Sequence, residues 1–313
     1  MIATAFGPAS LSNLGPGFDA LGLCVTGLGD RVTASRAGRP GVTVSGPPDL
    51  PTEPDLNTAA RAAVWVLRES GLGGGLHLEV EKGIPLGSGV GGSAASAVAG
   101  AWAANAVLGS PFARADLVPA VLEGEVAASG SAHGDNVLPA LLGGLVLVSP
   151  SEPTHYRRIA IPAPLEIAVV IPRVKVLTRQ ARAVLPSTVP HADASAQAAD
   201  LAFLLEAFRS GDVLEVGRRT MRDRLAEPYR ADLVPVYAAV KGAALEAGAA
   251  GCALTGSGPA LFAIPGGADT ATVLEAMVAA CGADAHGWIA RVDLEGVRTV
   301  DALEGGASTM RQI

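Results

Sequence analysis

The sequence predicts an α+β protein of two domains, on three observations. Short strand-like runs and longer helix-like runs are mixed without the strict alternation of a βαβ protein. A polar, proline-bearing stretch, SPSEPTHYRR from Ser149 to Arg158, interrupts two apolar regions near the middle of the chain, which predicts domains over 1–155 and 156–313. The 313 residues are 49% hydrophobic and 17% charged, enough to fill such cores without staples and incompatible with disorder over most of the chain.

In the first half, GVTVSG (41–46) and LHLEVE (76–81) read as strands. NTAARAAVWVLRES (57–70) and SAASAVAGAWAANAVLG (93–109) read as helices, the first opening on Asn57, a residue suited to an N-cap. Residues 84–113 hold no charge over a length that could cross a membrane. Their Ala, Ser, Gly and Asn105 content would gain little in lipid, so a buried Ala-rich helix is expected. In the second half, LEIAVVIP (165–172) leads to helices near 195–209, 212–224 and 231–247. A strand pair follows at GCALTG (251–256) and ALFAIP (260–265), then a helix at 270–281 and a last strand near 287–294. No repeat marks a solenoid.

Charge and cysteine usage narrow the function classes. With 23 basic against 30 acidic side chains, a net charge of −7 and no basic run, the chain repels a polyanion, which argues against a nucleic-acid partner. A small molecule or a second copy of the chain is the expected partner, and no membrane is. Cys24, Cys252 and Cys281 are odd in number and lack a CxxC, so they read as small apolar residues in a reducing compartment. The first basic residue is Arg31 and the N-terminal stretch is broken by Gly and Pro, unlike a secretory signal. The expected location is the cytoplasm.

The strongest local signal is PLGSGVGGSAAS, from Pro85 to Ser96, between a strand and the Ala-rich helix. Glycines without bulky neighbours let backbone N–H groups converge on an anion, and the helix N-terminus adds its dipole. Phosphate is the natural occupant. A Walker A loop is excluded, because none of the three lysines, Lys82, Lys175 and Lys241, follows the loop. Gly87, Gly89 and Gly92 do satisfy a dinucleotide-binding G-x-G-x-x-G, with Asp116 at the spacing of a ribose acid but in a helix-like stretch. A nucleophile elbow at Ser93 fails, since Ala95 stands where its second Gly belongs. A Gly-rich helix start without a ligand is the plain alternative.

The stretch from Pro85 to Ala95 resembles the P-x-x-x-G-L-G-S-S-A-A loop of the GHMP small-molecule kinase superfamily. PASLSNLGPGFDALGL (8–23) and LTGSGPALFAI (254–264) resemble two further blocks of that superfamily. EVAASGSAHGDNVLPALLGGLVLV (125–148), TRQARAVLP (178–186) and DRLAEPYRADLVP (223–235) are most similar, in the same order, to segments of the homoserine kinase family. The resemblance spans nearly the whole chain. It implies a first domain of the ribosomal-protein-S5-domain-2-like type with a left-handed βαβ crossover, a ferredoxin-like second domain, and a site in the cleft between them. The implied reaction is ATP-dependent phosphorylation of the L-homoserine hydroxyl with Mg²⁺, on the way to threonine. Members are commonly homodimers, a point that composition and periodicity do not decide.

The resemblance also carries residue roles. Ser93 and Glu125 would be the magnesium ligands, hard oxygen donors of the kind that ion selects. Asn57, Lys82 and the loop residues Pro85, Leu86, Gly87, Ser88, Gly89, Val90, Gly91, Gly92, Ser93, Ala94 and Ala95 would meet the nucleotide. Arg182 and Arg230 would clamp the substrate carboxylate, with Thr178 from the same block as Arg182, and Arg222 or Arg224 compete for the second position. Asn13, Asp19, His133 and Asn136 would face the reacting amino acid, with Asp19 positioning the substrate more than abstracting its proton. Gly92 departs from the loop pattern, removing one phosphate-facing hydroxyl; Leu11 and Gly134 are departures that carry no charge. Other readings are a kinase of the same superfamily acting on another alcohol, an NAD(P)-dependent oxidoreductase of the Rossmann type, and a metabolite sensor that has lost turnover.

Overall fold

The computed structural model describes residues 1–162, 164–282 and 285–301. Its first half contains β1 (Ile2–Ser12), β2 (Leu21–Ala37), β3 (Gly41–Ser45), α1 (Thr58–Ser70), β4 (Gly75–Glu81), α2 (Gly92–Val107), α3 (Val118–Ser129), α4 (Gly134–Leu142), β5 (Leu145–Val148) and β6 (Tyr156–Ile159). The long β2 organises a sheet in the order β1-β2-β4-β3, because its length lets one end pair with β4 over residues 31–37 and the other with β5 over 21–23. Only β3 and β4 run parallel, joined through α1; every other named strand pair is antiparallel.

The second half contains β7 (Glu166–Ile171), α5 (Thr178–Ala183), α6 (His191–Ser210), α7 (Val213–Thr220), α8 (Glu227–Arg230), α9 (Tyr237–Glu246), β8 (Ala249–Leu254), β9 (Leu261–Pro265), α10 (Thr270–Cys281) and β10 (His286–Arg291). Its antiparallel sheet has the order β10-β7-β9-β8, with helices between β7 and β8 and between β9 and β10, which is ferredoxin-like. A last strand, β11 (Arg298–Val300), returns to the first sheet beside β1.

The α+β class holds, and the strand pair at 251–265 and the helix at 270–281 lie as read. The boundary expected at 155/156 falls inside the β5–β6 hairpin, for which the polar SPSEPTHYRR run supplies the turn, and the first sheet continues to Ile159. The helix expected over 212–224 ends at Thr220, and the one expected over 231–247 begins only at Tyr237, beyond Pro235, which cannot continue an α-helical hydrogen-bond ladder. The Ala-rich helix is α2, buried on almost every side; among the described residues no helix is long and apolar enough to cross a membrane. Close approach explains its composition. Gly7 of β1 leaves no room for a side chain, since a Cβ there would stand 2.1 Å from the Ala95 carbonyl oxygen of α2. Cys24 and Cys252 are buried free thiols, and Cys281 is partly buried.

One apolar core unites the halves. Leu11, Leu14, Leu23, Val90 and Leu145 from the first pack with Ile167, Val169, Phe208 and Phe262 from the second. Beneath the loop between β4 and α2 lies Asp30 of β2, fully buried, in an ion pair with Lys82. Its carboxylate also accepts the Gly83 and Ile84 N–H groups, both at 3.1 Å, and the Ser96 hydroxyl at 2.6 Å. A buried charge costs little only when paired and hydrogen-bonded as fully as this. Asp30→Asn would strand the Lys82 ammonium beside α2. Urea unfolding is expected to show a loss of about 3–5 kcal/mol, the usual penalty for breaking one side of a buried ion pair.

Candidate active site

A cavity of about 530 Å³ opens between the two halves. One wall is the loop between β4 and α2, where Gly87, Gly89 and Gly91 take positive φ values of 72°, 82° and 74°. Gly91 caps α2, and its carbonyl accepts the Ala95 N–H. Outside contacts hold the loop: Ser10 N–H donates to the Val90 carbonyl at 3.2 Å and Ala260 N–H to the Ser88 carbonyl at 3.1 Å. Pro85, Leu86, Gly87, Ser88, Gly89, Gly91, Gly92 and Ser93 line the cavity. Val90, Ala94 and Ala95 do not; their side chains are in the core, so their part in the loop is its backbone.

The expected metal pair comes together. Ser93 Oγ donates to Glu125 Oε2 at 3.1 Å, and Glu125 is nearly buried on α3. Among the described residues no group of three His, Cys, Asp or Glu is placed to hold an ion. Two oxygen donors beside an anion-binding loop fit Mg²⁺, which completes its shell with waters and phosphate oxygens and does not need an all-protein cage.

Asn57 and Lys82 line the cavity, but their polar groups are engaged by the protein. Asn57 caps α1, accepting the Ala60 N–H at 3.0 Å and donating to the Pro51 carbonyl at 2.8 Å. The Lys82 ammonium donates to Asp30, to the Gly92 carbonyl at 2.8 Å and to Ser96 Oγ at 3.1 Å, which uses its three protons. Both residues fix the shape of the site.

The opposite end of the cavity gathers the remaining candidates. Asn13 and Asp19 both have positive φ, 69° and 56°, in the turn between β1 and β2. Asn13 Oδ1 accepts the Asp19 N–H at 3.1 Å, and its amide donates to the Gly256 carbonyl at 3.1 Å. Arg182 meets Asp19 end-on through both terminal nitrogens, Nη1 to Oδ2 at 3.1 Å and Nη2 to Oδ1 at 2.9 Å. His133 caps α4, with Nε2 2.7 Å from Ser131 Oγ and Nδ1 3.5 Å from Arg182 Nη2. Burial first, and then Arg182, lower its pKa, which favours the neutral imidazole. Asn136 accepts from Ser10 Oγ and donates to Ser12 Oγ, both at 2.9 Å. Thr178 lines the cavity at the start of α5.

Arg230 differs from Arg182. It is 3% exposed and donates only to carbonyls, of Ala181 at 3.2 Å and of Gly256 at 2.8 Å, with the Phe18 ring 5.0 Å from its guanidinium. Among the described residues it has no ion-pair partner. Of the competitors, Arg224 is paired with Asp200 at 2.5 Å, and neither it nor Arg222 lines the cavity.

Asp135 is a site residue that the sequence reading missed, although it lies inside the SAHGDN block. It is 4% exposed and lines the cavity on the first turn of α4. Burial, followed by the nearby Asp19, pushes its pKa up to about 6, against a hydrogen bond from Ser12 and the attraction of Arg182. Two buried polar atoms lack any partner among the described residues, Ser88 Oγ and Arg182 Nε, and both belong to residues lining this cavity. Buried polar atoms of this kind call for a partner, and in a cavity a ligand or an ordered water can supply it.

Residues 57–144 match the sequence profile described as GHMP kinases N terminal domain, and residues 204–284 match GHMP kinases C terminal. Homoserine kinase of Xylella fastidiosa (strain 9a5c) is 40% identical over 304 residues, covering 95% of this chain and 93% of its own. The chain belongs to the GHMP kinases, in the homoserine kinase family. Homoserine kinase of Pyrococcus furiosus is likewise 40% identical, over 92% of this chain and 97% of its own. A crystal structure of homoserine kinase from Cytophaga hutchinsonii superposes with a TM-score of 0.90 at 36% identity, over 96% and 97% of the two chains. The fold excludes the Rossmann alternative, whose loop follows the first strand of a parallel sheet; here β4 has one parallel neighbour, β3, and the rest of the sheet, β2 beside it included, is antiparallel.

Asp135 yields a stability test with a definite sign. A carboxyl whose folded pKa is about 6 against 3.8 contributes stability that is present below pH 3.8 and is lost as pH rises through 6. At pH 7.5 the ionised form therefore costs the fold on the order of 3 kcal/mol. Asp135→Asn should raise the melting temperature at pH 7.5 and give no comparable gain near pH 4.

Proposed function

We propose that this chain transfers the terminal phosphoryl group of ATP to the hydroxyl of L-homoserine, giving O-phospho-L-homoserine and ADP. The observation that carries the reading is the shared cavity. It contains an anion loop with an orphaned hydroxyl, a buried arginine without a counter-ion among the described residues, and the buried carboxyl group of Asp135, close enough to act on the charge of that arginine. An amino acid with a hydroxyl fits that arrangement: carboxylate on Arg230, ammonium on Asp135, hydroxyl toward the loop. The family relatives named homoserine kinase support the same acceptor. Mevalonate has no ammonium and galactose has no carboxylate, so neither uses both groups.

Each residue then has a task. The loop N–H groups and the Ser88 hydroxyl bind phosphate oxygens. Ser93 and Glu125 hold Mg²⁺, which when bound offsets phosphate charge. Asp19 orients the Arg182 fork, and Asn13 holds Asp19 in place. His133 and Asn136 shape the acceptor end. A strong general base is not needed, because a loose transition state asks little of the attacking hydroxyl, which can lose its proton late. The location that the reading implies is the cytoplasm, and the assembly that the resemblance carries is a homodimer.

ADP release from MgATP should be followed with L-homoserine, L-threonine, L-serine, mevalonate and galactose in parallel. Turnover confined to L-homoserine is expected, and turnover with mevalonate or galactose instead overturns the acceptor. Glu125→Gln should cut kcat about 10²-fold or more if it holds the metal, and unchanged activity removes it from that role. Arg230→Met should raise the KM for L-homoserine by about 10²-fold, the worth of a charge-assisted carboxylate contact, with the KM for ATP little altered.

A further inference from the structure

Phosphoryl transfer in a cleft calls for a cation that follows the charge on the moving group. The phosphate loop of this chain carries no lysine of its own. Lys82 is engaged by Asp30, Gly92 and Ser96, so its charge is matched by a buried carboxylate. Lys241 is paired with Glu227 at 2.6 Å and does not line the cavity.

Lys175, in the connection between β7 and α5, is placed differently. It is exposed, lines the same cavity as the loop, and makes no hydrogen bond or ion pair among the described residues. Its aliphatic stem lies on Gly87: a Cβ built on that glycine would stand 2.8 Å from Lys175 Cγ and 3.4 Å from Cε. Gly87 therefore meets two demands, a φ of 72° and an open groove for the lysine stem. The ammonium is one bond beyond a carbon that borders the phosphate loop.

We infer that Lys175 is a further catalytic residue, whose ammonium contacts the terminal phosphoryl group of the nucleotide and offsets the charge spreading over its oxygens during transfer. The inference rests on the phosphoryl-transfer reading above. In the step, the acceptor oxygen bonds to the terminal phosphorus and the bond from phosphorus to the bridging oxygen breaks. That electron pair leaves with ADP, and the acceptor proton passes to water or a phosphate oxygen. Lys175 neither gains nor loses a proton. A compact ammonium on a flexible stem can stay with a group that moves between two oxygens, which a rigid guanidinium fork does less readily.

Two measurements test this. In the first, the full chain is acetylated with an amine-reactive reagent and the lysines are read by peptide mass spectrometry. Lys82 and Lys241 are engaged, so Lys175 should be the reactive lysine, and MgATP at ten times its Kd should slow its modification about tenfold, with AMP far less effective. Equal rates with and without MgATP overturn the contact. In the second, Lys175→Met should lower kcat about 10²-fold while the calorimetric Kd for MgATP changes little. Lys175→Arg should recover part of the loss, and both variants should melt with the parent because the side chain is exposed. A Lys175→Met chain with parental kcat, or a loss confined to Kd, overturns the catalytic role. A parent chain that leaves L-homoserine unphosphorylated would instead be a failure of the proposed acceptor, and the acetylation result would still report on the nucleotide contact.

Discussion

The buried carboxylate of Asp30 is the group around which the anion loop is built. A loop that binds through backbone N–H groups has no side chains with which to hold its own shape, so that shape must come from outside. Asp30 binds the chain as it leaves β4, through the Gly83 and Ile84 N–H groups, and binds the start of α2 through Ser96 and Lys82. Lys82 extends the grip to the Gly92 carbonyl on the first turn of the helix. The remaining supports come from Ser10 of the first sheet and Ala260 of the second half. The phosphate loop is therefore a joint product of both halves, and the apolar core between them is part of what sets its geometry.

The same constraint explains why an acidic chain can receive a polyanion. Net charge acts at long range, where salt screens it within about 10 Å, whereas the cavity presents cations at contact distance. From Pro172 to Val184 the chain carries Arg173, Lys175, Arg179 and Arg182 and no acid. Three of these line the cavity, which Glu125 also lines. Further in, the charges are balanced more closely. Arg182 is matched by Asp19, while Arg230 and Asp135 are both buried without an ion-pair partner among the described residues. Each is poorly placed for stability and well placed for a zwitterion, which would satisfy both at once.

What could be read from the sequence was local. The strand, glycine loop and Ala-rich helix from Gly75 to Val107 are contiguous, and so are β8, its turn and β9, so composition and period were enough to find them. The strands β1 and β2 were not read from pattern, because Gly7, Pro8 and a register shift between Pro8 and Ala9 break the alternation of β1. Pairings between distant residues carry no local signal: Asp30 finds Lys82 across 52 positions and Asn136 finds Ser10 across 126. Lys82 and Asn57, expected to meet the nucleotide, both line the cavity; the ion pair that holds Lys82 there had no local signal, whereas the N-cap role of Asn57 did. Asp135 was overlooked for the same reason, since the groups that act on its carboxyl, Ser12, Asp19 and Arg182, come from other elements.

Gly92 shows how the loop accommodates a departure from the family pattern. A Cβ at that position would stand 3.1 Å from Ile84 Cγ2 and 3.5 Å from the Lys82 ammonium. Ile84 is almost fully buried and its N–H is held by Asp30, so it has little freedom to yield. A serine there would press on the group that anchors the loop, and its hydroxyl would lie beside an ammonium that already has three acceptors. The glycine relieves that crowding and keeps the backbone N–H that an anion needs at the first turn of α2. The hydroxyl is not lost from the loop as a whole, because Ser88 presents one that no group among the described residues satisfies. With Lys82 committed to the fold, a positive charge on the phosphates has to come from across the cavity, which is where the stem of Lys175 crosses Gly87. In the reading proposed above, anchoring and charge neutralisation fall to different lysines: Lys82 can be buried because Asp30 pairs it, and Lys175 stays exposed to the cavity.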